Sequence, residues 1–466
     1  MTSAASFPRK YAVTVYGATG FTGKLCVEYL AQHPQGDAFN WAVAGRSTQK
    51  LQALKQQYNL PSNVGILRAE NSTDDVNSSG LKEMVQQSAV ILNLVGPYEL
   101  NGSFRLAKLC AELGTSYTDL SGESKFNARL QSELDETAKK SGSIIIPSVG
   151  YDSIPLDVTA YLGARRVREL AAKKSIDLAE LQVKAGNSCM GGFSGGTFAS
   201  MKEMAGGWQL KPAKPLAIAD ACSEKAPEKC TSAVITPNAT WIAPFKTWGT
   251  INPLGIHNAR VAYHSARLVD GSSSTETYGP NFNVVDCVIP PGMTSLPWPI
   301  AFLFAHIIAS ITKMVLLVID RSQMVRNFVT RFMPTGSGPS RKVQEAGFLD
   351  LRALAVGYPA KSQQKPVASV ARWLIKDADP GYKMTSRLAV EVSLFLALAT
   401  GEATQPDKVK GMTRGVRTVA SLGDEALATL LKRLKEFVGI SVEVTDWNEG
   451  GLGKKLLGAG GNKEKL

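Results

Sequence analysis

The sequence predicts an α/β protein built in two parts, an N-terminal doubly wound parallel sheet followed by a second α+β domain with a mixed or antiparallel sheet. Three observations carry this. Near its start, Tyr11 to Glu28 (YAVTVYGATGFTGKLCVE) is a β-branched run entering a glycine-rich turn and then an apolar-periodic helix. Short apolar runs then alternate with helix-patterned segments as far as Gly150, and strands separated by helical crossovers pair in parallel. Beyond Ser175 the alternation gives way to clustered strands and late helices, the pattern of an α+β unit. The expected parts are residues 1–160 and 161–453, with 454–466 as a Gly/Lys-rich flexible tail.

The first strand is Tyr11–Tyr16. It feeds Gly17-Ala18-Thr19-Gly20-Phe21-Thr22-Gly23, a GxxGxxG spacing, and a helix over Gly20–Gln32. Gly17 permits the tight turn. Gly20 lets backbone N–H groups approach a pyrophosphate that the helix dipole also favours, and Gly23 lets the helix pack closely on the sheet. Strand, turn and helix in this order predict a Rossmann-like dinucleotide-binding crossover. Further strands are expected at Asn40–Ala44, Val64–Arg68, Ala89–Val95, Ser116–Asp119 and Ser143–Pro147. Helices at Thr48–Tyr58, Gly80–Gln86, Ser103–Leu113 and Ser124–Lys140 would join them.

In such a sheet the ligand sits beyond the carboxyl ends of the strands, so each strand end is a candidate site. The second strand ends in Ala44-Gly45-Arg46-Ser47. An NAD site usually places Asp or Glu here for the ribose 2′-hydroxyl. Arg46 instead offers a forked cation suited to a 2′-phosphate, which points to NADP(H); an arginine capping a surface loop is the alternative. Arg68-Ala69-Glu70 would border the adenine ring. The fourth strand runs into Asn93-Leu94-Val95-Gly96-Pro97-Tyr98, whose glycine and proline can bring backbone beside the nicotinamide ribose, with the Tyr98 hydroxyl facing the same mouth. Asp119 and Ser121, after the fifth strand, either cap the next helix or take part in catalysis. After the sixth come Tyr151, Asp152 and Ser153, ahead of Pro155. Asp152 or Ser153 can cap the next helix and also stand at the cleft edge, because the two roles are compatible. Tyr98 and Tyr151 are the first candidate proton donors, with Asp152 and Ser153 next. The six cysteines form no CxxC pair and only four histidines are present, so no metal site is expected.

In the second part, strands are expected at Leu181–Ala185, Val261–Ala266, Asn281–Val288, Phe348–Val356, Pro366–Ile375 and Ile440–Val444. Helices at Ser386–Leu398 and Glu425–Phe437 would cover that sheet. The glycine pairs of Gly191–Thr197 (GGFSGGT) suit either a phosphate-holding loop or a flexible connection, and Lys211–Lys246 reads as a surface loop. Cys287 to Thr312 carries no formal charge, and the apolar helix after Pro299 is long enough to cross a bilayer core of about 30 Å. His306, Ser310 and Lys313 make one narrow polar stripe along it. A single crossing would separate strands of one sheet by a membrane. Segment 295–319 is therefore expected to lie in a membrane or lipid-droplet surface, supported by Arg321, Arg326, Arg331, Arg341 and Lys342. A buried core helix or a dimer-interface helix is the alternative.

With 466 residues, 44% of them hydrophobic, the chain can bury an ample core. A formal charge of +12 suits phosphorylated cofactors or an anionic lipid surface. No basic–aromatic nucleic-acid motif is present, so nucleic acid is not an expected partner. The N-terminal MTSAASFPRKY has no apolar core of a secretory signal, and the scattered cysteines suit reduced thiols. These features predict an intracellular location, on a membrane or lipid droplet and otherwise cytoplasmic.

Taken in order, GATGFTG, AGR, NLVGPY, YTDLSGE, GYDSIPLD and GGFSGGT resemble the saccharopine dehydrogenase-like oxidoreductases, a family that includes mycobacterial trans-acting enoyl reductases. The resemblance implies an NADP-binding domain and a catalytic or dimerisation domain, hence a possible homodimer. It carries cofactor contacts onto Gly17 to Gly23, Arg46 and the Asn93 to Tyr98 segment. The function it implies is an NADP(H)-dependent oxidoreductase reducing an enoyl or carbonyl group of a lipid-type substrate. Two alternatives stand beside it: a saccharopine-type amino-acid dehydrogenase of the lysine pathway, and a non-catalytic NADP-binding protein of lipid droplets or membranes.

Overall fold

Continuous apolar runs at the N-terminus become strands buried on both faces, as a parallel sheet covered by helices requires. The computed structural model describes residues 9–71, 80–191, 239–272, 276–279, 281–322, 324–325, 338–361, 363–399 and 412–447. Strands β1 (Tyr11–Tyr16), β2 (Trp41–Gly45), β3 (Gly65–Arg68), β4 (Ser88–Asn93), β5 (Ser116–Asp119) and β6 (Ile144–Ile146) are joined by helices. Those are α1 (Phe21–Ala31), α2 (Thr48–Gln57), α3 (Leu81–Gln87), α4 (Ser103–Leu113) and α5 (Ser124–Ser141), as the alternating pattern predicts.

The chain continues through α6 (Ile154–Lys173), β7 (Leu178–Met190), β8 (Ala239–Ile242), β9 (Thr247–Ile251), α7 (Gly255–Ser272) and β10 (Phe282–Ile289). It ends with α8 (Trp298–Arg321), α9 (Arg341–Ala346), β11 (Phe348–Pro359), β12 (Val367–Ile375), α10 (Thr385–Ala399), β13 (Gly415–Val416), α11 (Asp424–Arg433) and β14 (Ser441–Asp446). The first sheet has the order β13-β6-β5-β4-β1-β2-β3 and every pairing in it is parallel. The second has the order β14-β12-β11-β7-β10-β9-β8. It is mixed: β7 and β10 run parallel, and the other pairs are antiparallel.

Two expectations are corrected. Val261–Ala266 is not a strand but the middle of α7, where Ile256, Ala259, Tyr263, Ala266 and Val269 recur at helical spacing on the core side. The late helix at Ser386–Leu398 does not cover the second sheet. As α10 it packs on α1 and on β1, β4 and β5, with nearly every residue buried. Its apolar residues, Leu388 to Val390, Val392 and Leu394 to Ala397, are buried around it, and α1 and the parallel sheet supply the partners. The second sheet is covered instead by α6 against β11 and β12 and by α7 against β10. One core thus runs from Val13 and Val15 through Leu156 and Val158 to Leu351 and Ala353, so the two sheets meet across a continuous packed seam. The carboxyl ends of β1, β4, β5 and β6 open at this seam. Residues 192–197 of the glycine-pair motif, 211–238 of the expected loop, Arg326, Arg331 and the tail at 454–466 lie outside the described residues.

Candidate functional site

The glycine-rich turn is built as its spacing predicts. Gly17 adopts φ +88°, and its N–H and that of Ala18 donate to the Ala44 carbonyl, holding the turn against β2. A Cβ on Gly23 would stand 2.3 Å from the Gly17 carbonyl oxygen, closer than any carbon can approach. Only glycine lets α1 sit this tightly on the turn. Gly20 occupies the N-cap of α1 with no side chain to satisfy the helix end, and the first helical bond runs from the Lys24 N–H to the Gly20 carbonyl. The N–H groups of the first turn therefore face the mouth, as a pyrophosphate requires. Phe21 packs edge-on against Tyr382 with ring centroids 5.3 Å apart, tying the loop to the segment before α10.

Arg46 is exposed at the end of β2. The Ser47 hydroxyl, next to it, caps α2 by accepting from the Lys50 N–H at 3.3 Å. At the end of β4, Asn93 donates to Ser103 Oγ at 2.9 Å and to the Tyr117 hydroxyl at 3.0 Å, and accepts from the Val95 N–H at 3.0 Å. Gly96–Pro97 is a cis peptide. The carboxylate of Glu123 accepts from the N–H groups of Tyr98 and Glu99 at 2.8 and 3.0 Å, which pins the turn from the N-terminus of α5. Tyr98 differs from expectation. It is 5% exposed, and its hydroxyl points into the sheet end rather than the mouth, donating to the Asn93 carbonyl at 3.4 Å and accepting from the Leu120 N–H at 3.1 Å. These strand-end groups need partners once buried, and the phenol supplies them.

Asp119 does not cap α5, whose N-cap is Glu123; its Oδ1 ties together the loops after β5 and β6 by accepting from the N–H groups of Ser121 and Ser148 at 2.8 and 2.9 Å. Burial, opposed by those bonds, raises its pKa to about 7. The Ser121 hydroxyl accepts from the Glu123 N–H at 3.0 Å.

Tyr151, Asp152 and Ser153 emerge from β6 into the seam. Ser153 is the N-cap residue of α6 but makes no capping bond, and its buried hydroxyl has no partner. The Tyr151 N–H donates to Thr385 Oγ1 at 3.0 Å, and its hydroxyl lies 3.6 Å from Cys189 Sγ on β7. Asp152 is partly exposed. Desolvation, and then the charge of Asp286 on β10, raise its pKa to about 7. Asp286 itself is buried, and its carboxylate accepts from the side-chain amides of Asn187, Asn252 and Asn258. Desolvation raises its pKa to about 6 against those three bonds. Tyr151 is pushed well above the usual phenol range by burial, then by Cys189, Asp286 and Asp152, so it stays a neutral phenol.

A histidine joins the two parts beside this cluster. His257 of α7 contacts Ser124 Oγ through Nδ1 at 2.9 Å and Ser148 Oγ through Nε2 at 3.2 Å. The single Ser148 hydroxyl hydrogen is committed to the Ser121 carbonyl, so Nε2 carries the ring proton and Ser124 donates to Nδ1. Burial, followed by the charge of Arg260, lowers the pKa of His257 to about 3.

Sequence reasoning missed Glu123, Cys189, Asp286, His257 and the three asparagines as site residues. Only INPLGIHN, which places Asn252, His257 and Asn258 close together, carried a local signal. The dinucleotide residues fit NADP(H): an open helix end, a turn that excludes any Cβ at Gly23, and a cation at the ribose position. Among the described residues no group of His, Cys, Asp and Glu is arranged to hold a metal.

The comparisons agree with this geometry. The family described as saccharopine dehydrogenase NADP binding domain matches residues 13–146. A Mycobacterium tuberculosis protein provisionally named trans-acting enoyl reductase is 30% identical over 456 residues, covering 94% of this chain and 98% of that protein. The human saccharopine dehydrogenase-like oxidoreductase is 38% identical over 161 residues, 32% of this chain and 36% of its own. The lipid droplet localized protein of Caenorhabditis elegans is 37% identical over 154 residues, 32% of this chain and 35% of its own. Among solved structures, the saccharopine dehydrogenase (L-Glu forming) of Saccharomyces cerevisiae aligns over 94% of this chain and 99% of that one, with 14% identity and a TM-score of 0.49. With its Rossmann-like sheet, glycine-rich turn and near full-length relative, the chain belongs to the saccharopine dehydrogenase-like oxidoreductases and binds NADP(H).

Proposed function

We propose that this oxidoreductase reduces an enoyl or carbonyl group of a lipid-type substrate at the seam between its two sheets. The observation that carries the reading is the position of Asp152 at the seam, on the same sheet edge as the dinucleotide turn, with a carboxyl whose pKa desolvation raises to about 7. NADPH held by the residues of the dinucleotide turn would supply the hydride. The chain's part is to orient the acceptor and deliver a proton. Gly17–Gly23, Arg46 and the Asn93–Pro97 turn position the nucleotide, with Glu123 bracing that turn. The Asp152 carboxyl gives its proton to the substrate atom that gains negative character, and its partial exposure lets solvent restore it. Tyr151, a neutral phenol, borders the same space and is the second candidate donor, and Ser153 stands beside Asp152 with a free hydroxyl. NADPH oxidation with a long-chain trans-2-enoyl thioester tests this. Turnover abolished in Asp152→Asn supports it, and turnover unchanged in that variant removes Asp152 as donor. Saccharopine oxidation in the same assay would favour the amino-acid dehydrogenase reading, and NADPH binding without turnover on either would favour a non-catalytic role.

A lipid surface as partner rests on α8. Its small residues Ala301, Ala305 and Ala309 face inward and the helix packs on β9, while Trp298, Leu303, Phe304, Ile307, Ile311 and Met314 are exposed. The stretch Trp298–Ile319 has a mean hydropathy of 2.2 and only 17% of its most apolar window is buried. Two of its polar residues bond to the helix itself: Ser310 donates to the His306 carbonyl at 2.8 Å, and His306 Nδ1 lies 3.0 Å from the Phe302 carbonyl. That β10 before it and β11 after it belong to one sheet supports a helix lying on a surface over one crossing it. The Caenorhabditis elegans relative, named a lipid droplet localized protein, supports the same reading. Flotation with phospholipid-coated triacylglycerol droplets tests the attachment; a protein that stays wholly in the aqueous fraction would end this reading.

A further inference from the structure

Strand register separates the two faces of the second sheet. Leu181 and Val183 of β7, Leu351 of β11 and Trp373 of β12 point into the core shared with the first sheet, so their alternate neighbours point the other way. On that outer face Cys287 and Ile289 of β10, with Ile242 and Phe245, pack against Ala301 and Ala305 of α8. The apolar helix therefore lies on the side of the second sheet turned away from the first.

The same face carries an ion cluster. Asp350 of β11 stands opposite Ser188 of β7 and Leu374 of β12, and Arg352 stands opposite Arg372. Arg372 donates to the two Asp350 oxygens through Nε and Nη2 at 2.8 Å each, and Arg352 does so at 3.2 and 2.7 Å. Arg352 also lies 4.2 Å over the Phe245 ring and donates to the Pro244 carbonyl at 2.9 Å. One aromatic ring thus joins the cluster to the packing under α8.

Beside the cluster opens a cavity of about 400 Å³, lined by Ser188, Gly347, Asp350, Arg372, Lys376 and Asp377. Two guanidiniums on one carboxylate leave a net positive charge. Arg372 has given one edge of its fork to Asp350, and among the described residues neither its Nη1 nor Lys376 Nζ has a partner in the protein. Asp377 is the opposing charge in the lining. A guanidinium edge, an ammonium and the Ser188 hydroxyl from three places in the chain all donate, and a phosphate group has the acceptor oxygens to satisfy them together. We propose that this cavity holds the phosphate headgroup of an anionic phospholipid, so that the second sheet docks on a lipid surface through α8 and through a headgroup site on the same face. The inference rests on the lipid-surface reading of α8 for choosing a lipid over a soluble phosphate, but not for the anion site itself.

The test titrates the full chain with monomeric dihexanoyl phosphatidate by calorimetry, and compares its flotation on phosphatidylcholine vesicles with and without phosphatidate. Wild type should bind the short-chain lipid and favour the phosphatidate vesicles. Lys376→Gln, at an exposed side chain just beyond β12, should lower the short-chain affinity about fivefold. Arg372→Gln should lower it at least about tenfold, and Asp377→Asn should raise it. Lys365→Gln, exposed at the opposite end of β12, removes the same charge and should change nothing. No binding of the short-chain lipid by wild type, an affinity unmoved in Lys376→Gln, or an equal loss in Lys365→Gln overturns the proposal, and none of these requires Arg372→Gln to fold. Inorganic phosphate bound as tightly as the short-chain lipid would overturn it in favour of a soluble phosphate. Flotation separates the site from the helix: Lys376→Gln should weaken only the preference for phosphatidate, whereas Leu303→Asp with Ile307→Asp should stop flotation on both vesicles and keep the short-chain affinity. Wild type that binds the short-chain lipid but floats on neither vesicle would refute the lipid-surface reading of α8 and leave the headgroup site standing.

Discussion

Acid should weaken the protein through His257, by an amount the structure sets. The ring is 4% exposed, accepts from Ser124 at Nδ1, and carries its proton on Nε2 toward Ser148. A second proton would replace an acceptor by a donor facing a donor, beside Arg260. Its pKa therefore falls from the ordinary 6.5 to about 3 in the fold. For a group whose folded pKa is depressed, the stability is present above the unfolded pKa and lost as pH falls towards the folded one. At about pH 5 the unfolded chain binds this proton and the folded chain does not, a gap of about 1.5 units or about 2 kcal/mol. The figure requires only that the folded ring stay neutral at that pH. Asp119, Asp152 and Asp157 move the other way: each is raised from 3.8 to about 7, so its stabilisation is full below 3.8 and lost as pH rises through 7. The total acid response is thus partly cancelled, and the measurement must be a difference. Urea unfolding of wild type and His257→Gln at about pH 7.5 and about pH 5 should show the penalty of the substitution shrinking by about 2 kcal/mol at the lower pH. An equal penalty at both would refute the neutral, donor-bound ring.

Calorimetry on Arg46→Ala should show NADPH binding weakened at least about tenfold with NADH binding unchanged, since removing one charge-assisted phosphate contact costs roughly 1.5–3 kcal/mol. Gly23→Val should abolish binding of both nucleotides, because its Cβ meets the Gly17 carbonyl oxygen at 2.3 Å; retained NADPH affinity would contradict the close approach of α1. Leu303→Asp with Ile307→Asp, at side chains 57% and 46% exposed, should cut droplet partitioning more than about 100-fold without lowering Tm, as each lost apolar side chain is worth about 1.5–3 kcal/mol. Glu391→Ala should destabilise the fold by about 3–5 kcal/mol in urea, since the buried carboxylate joins Tyr29 of α1 at 2.6 Å and His33 just beyond that helix at 2.7 Å to Arg433 of α11.

The dinucleotide half was legible because its determinants are local. A β-branched run, three glycines and an apolar-periodic helix specify β1, the turn and α1 within the span Tyr11 to Ala31, and the Arg46 register follows one crossover later. The same holds for the apolar character of α8, which a continuous uncharged run declares. Val261–Ala266 failed as a strand because a short apolar run has no decisive period until the flanking Ile256, Ala259 and Val269 are counted with it. The placement of α10 failed for another reason: its apolar residues do not say which sheet they will join, and the partners of its one buried carboxylate, Glu391, lie far away in the chain.

What the sequence by itself determined, then, is the parallel sheet, the nucleotide turn, the preference for a 2′-phosphate and the presence of an apolar helix, each encoded in contiguous residues. Only the tertiary structure decided the proton chemistry. Asp152 and Asp286 stand far apart in the chain, and neither departs from an ordinary carboxylate until folding removes water from around it. His257 is an ordinary histidine until α7 carries it against Ser124 and Ser148. Burial and the company of charges are properties of the assembled seam, so the groups that set the pKa values cannot be read from spacing along the chain.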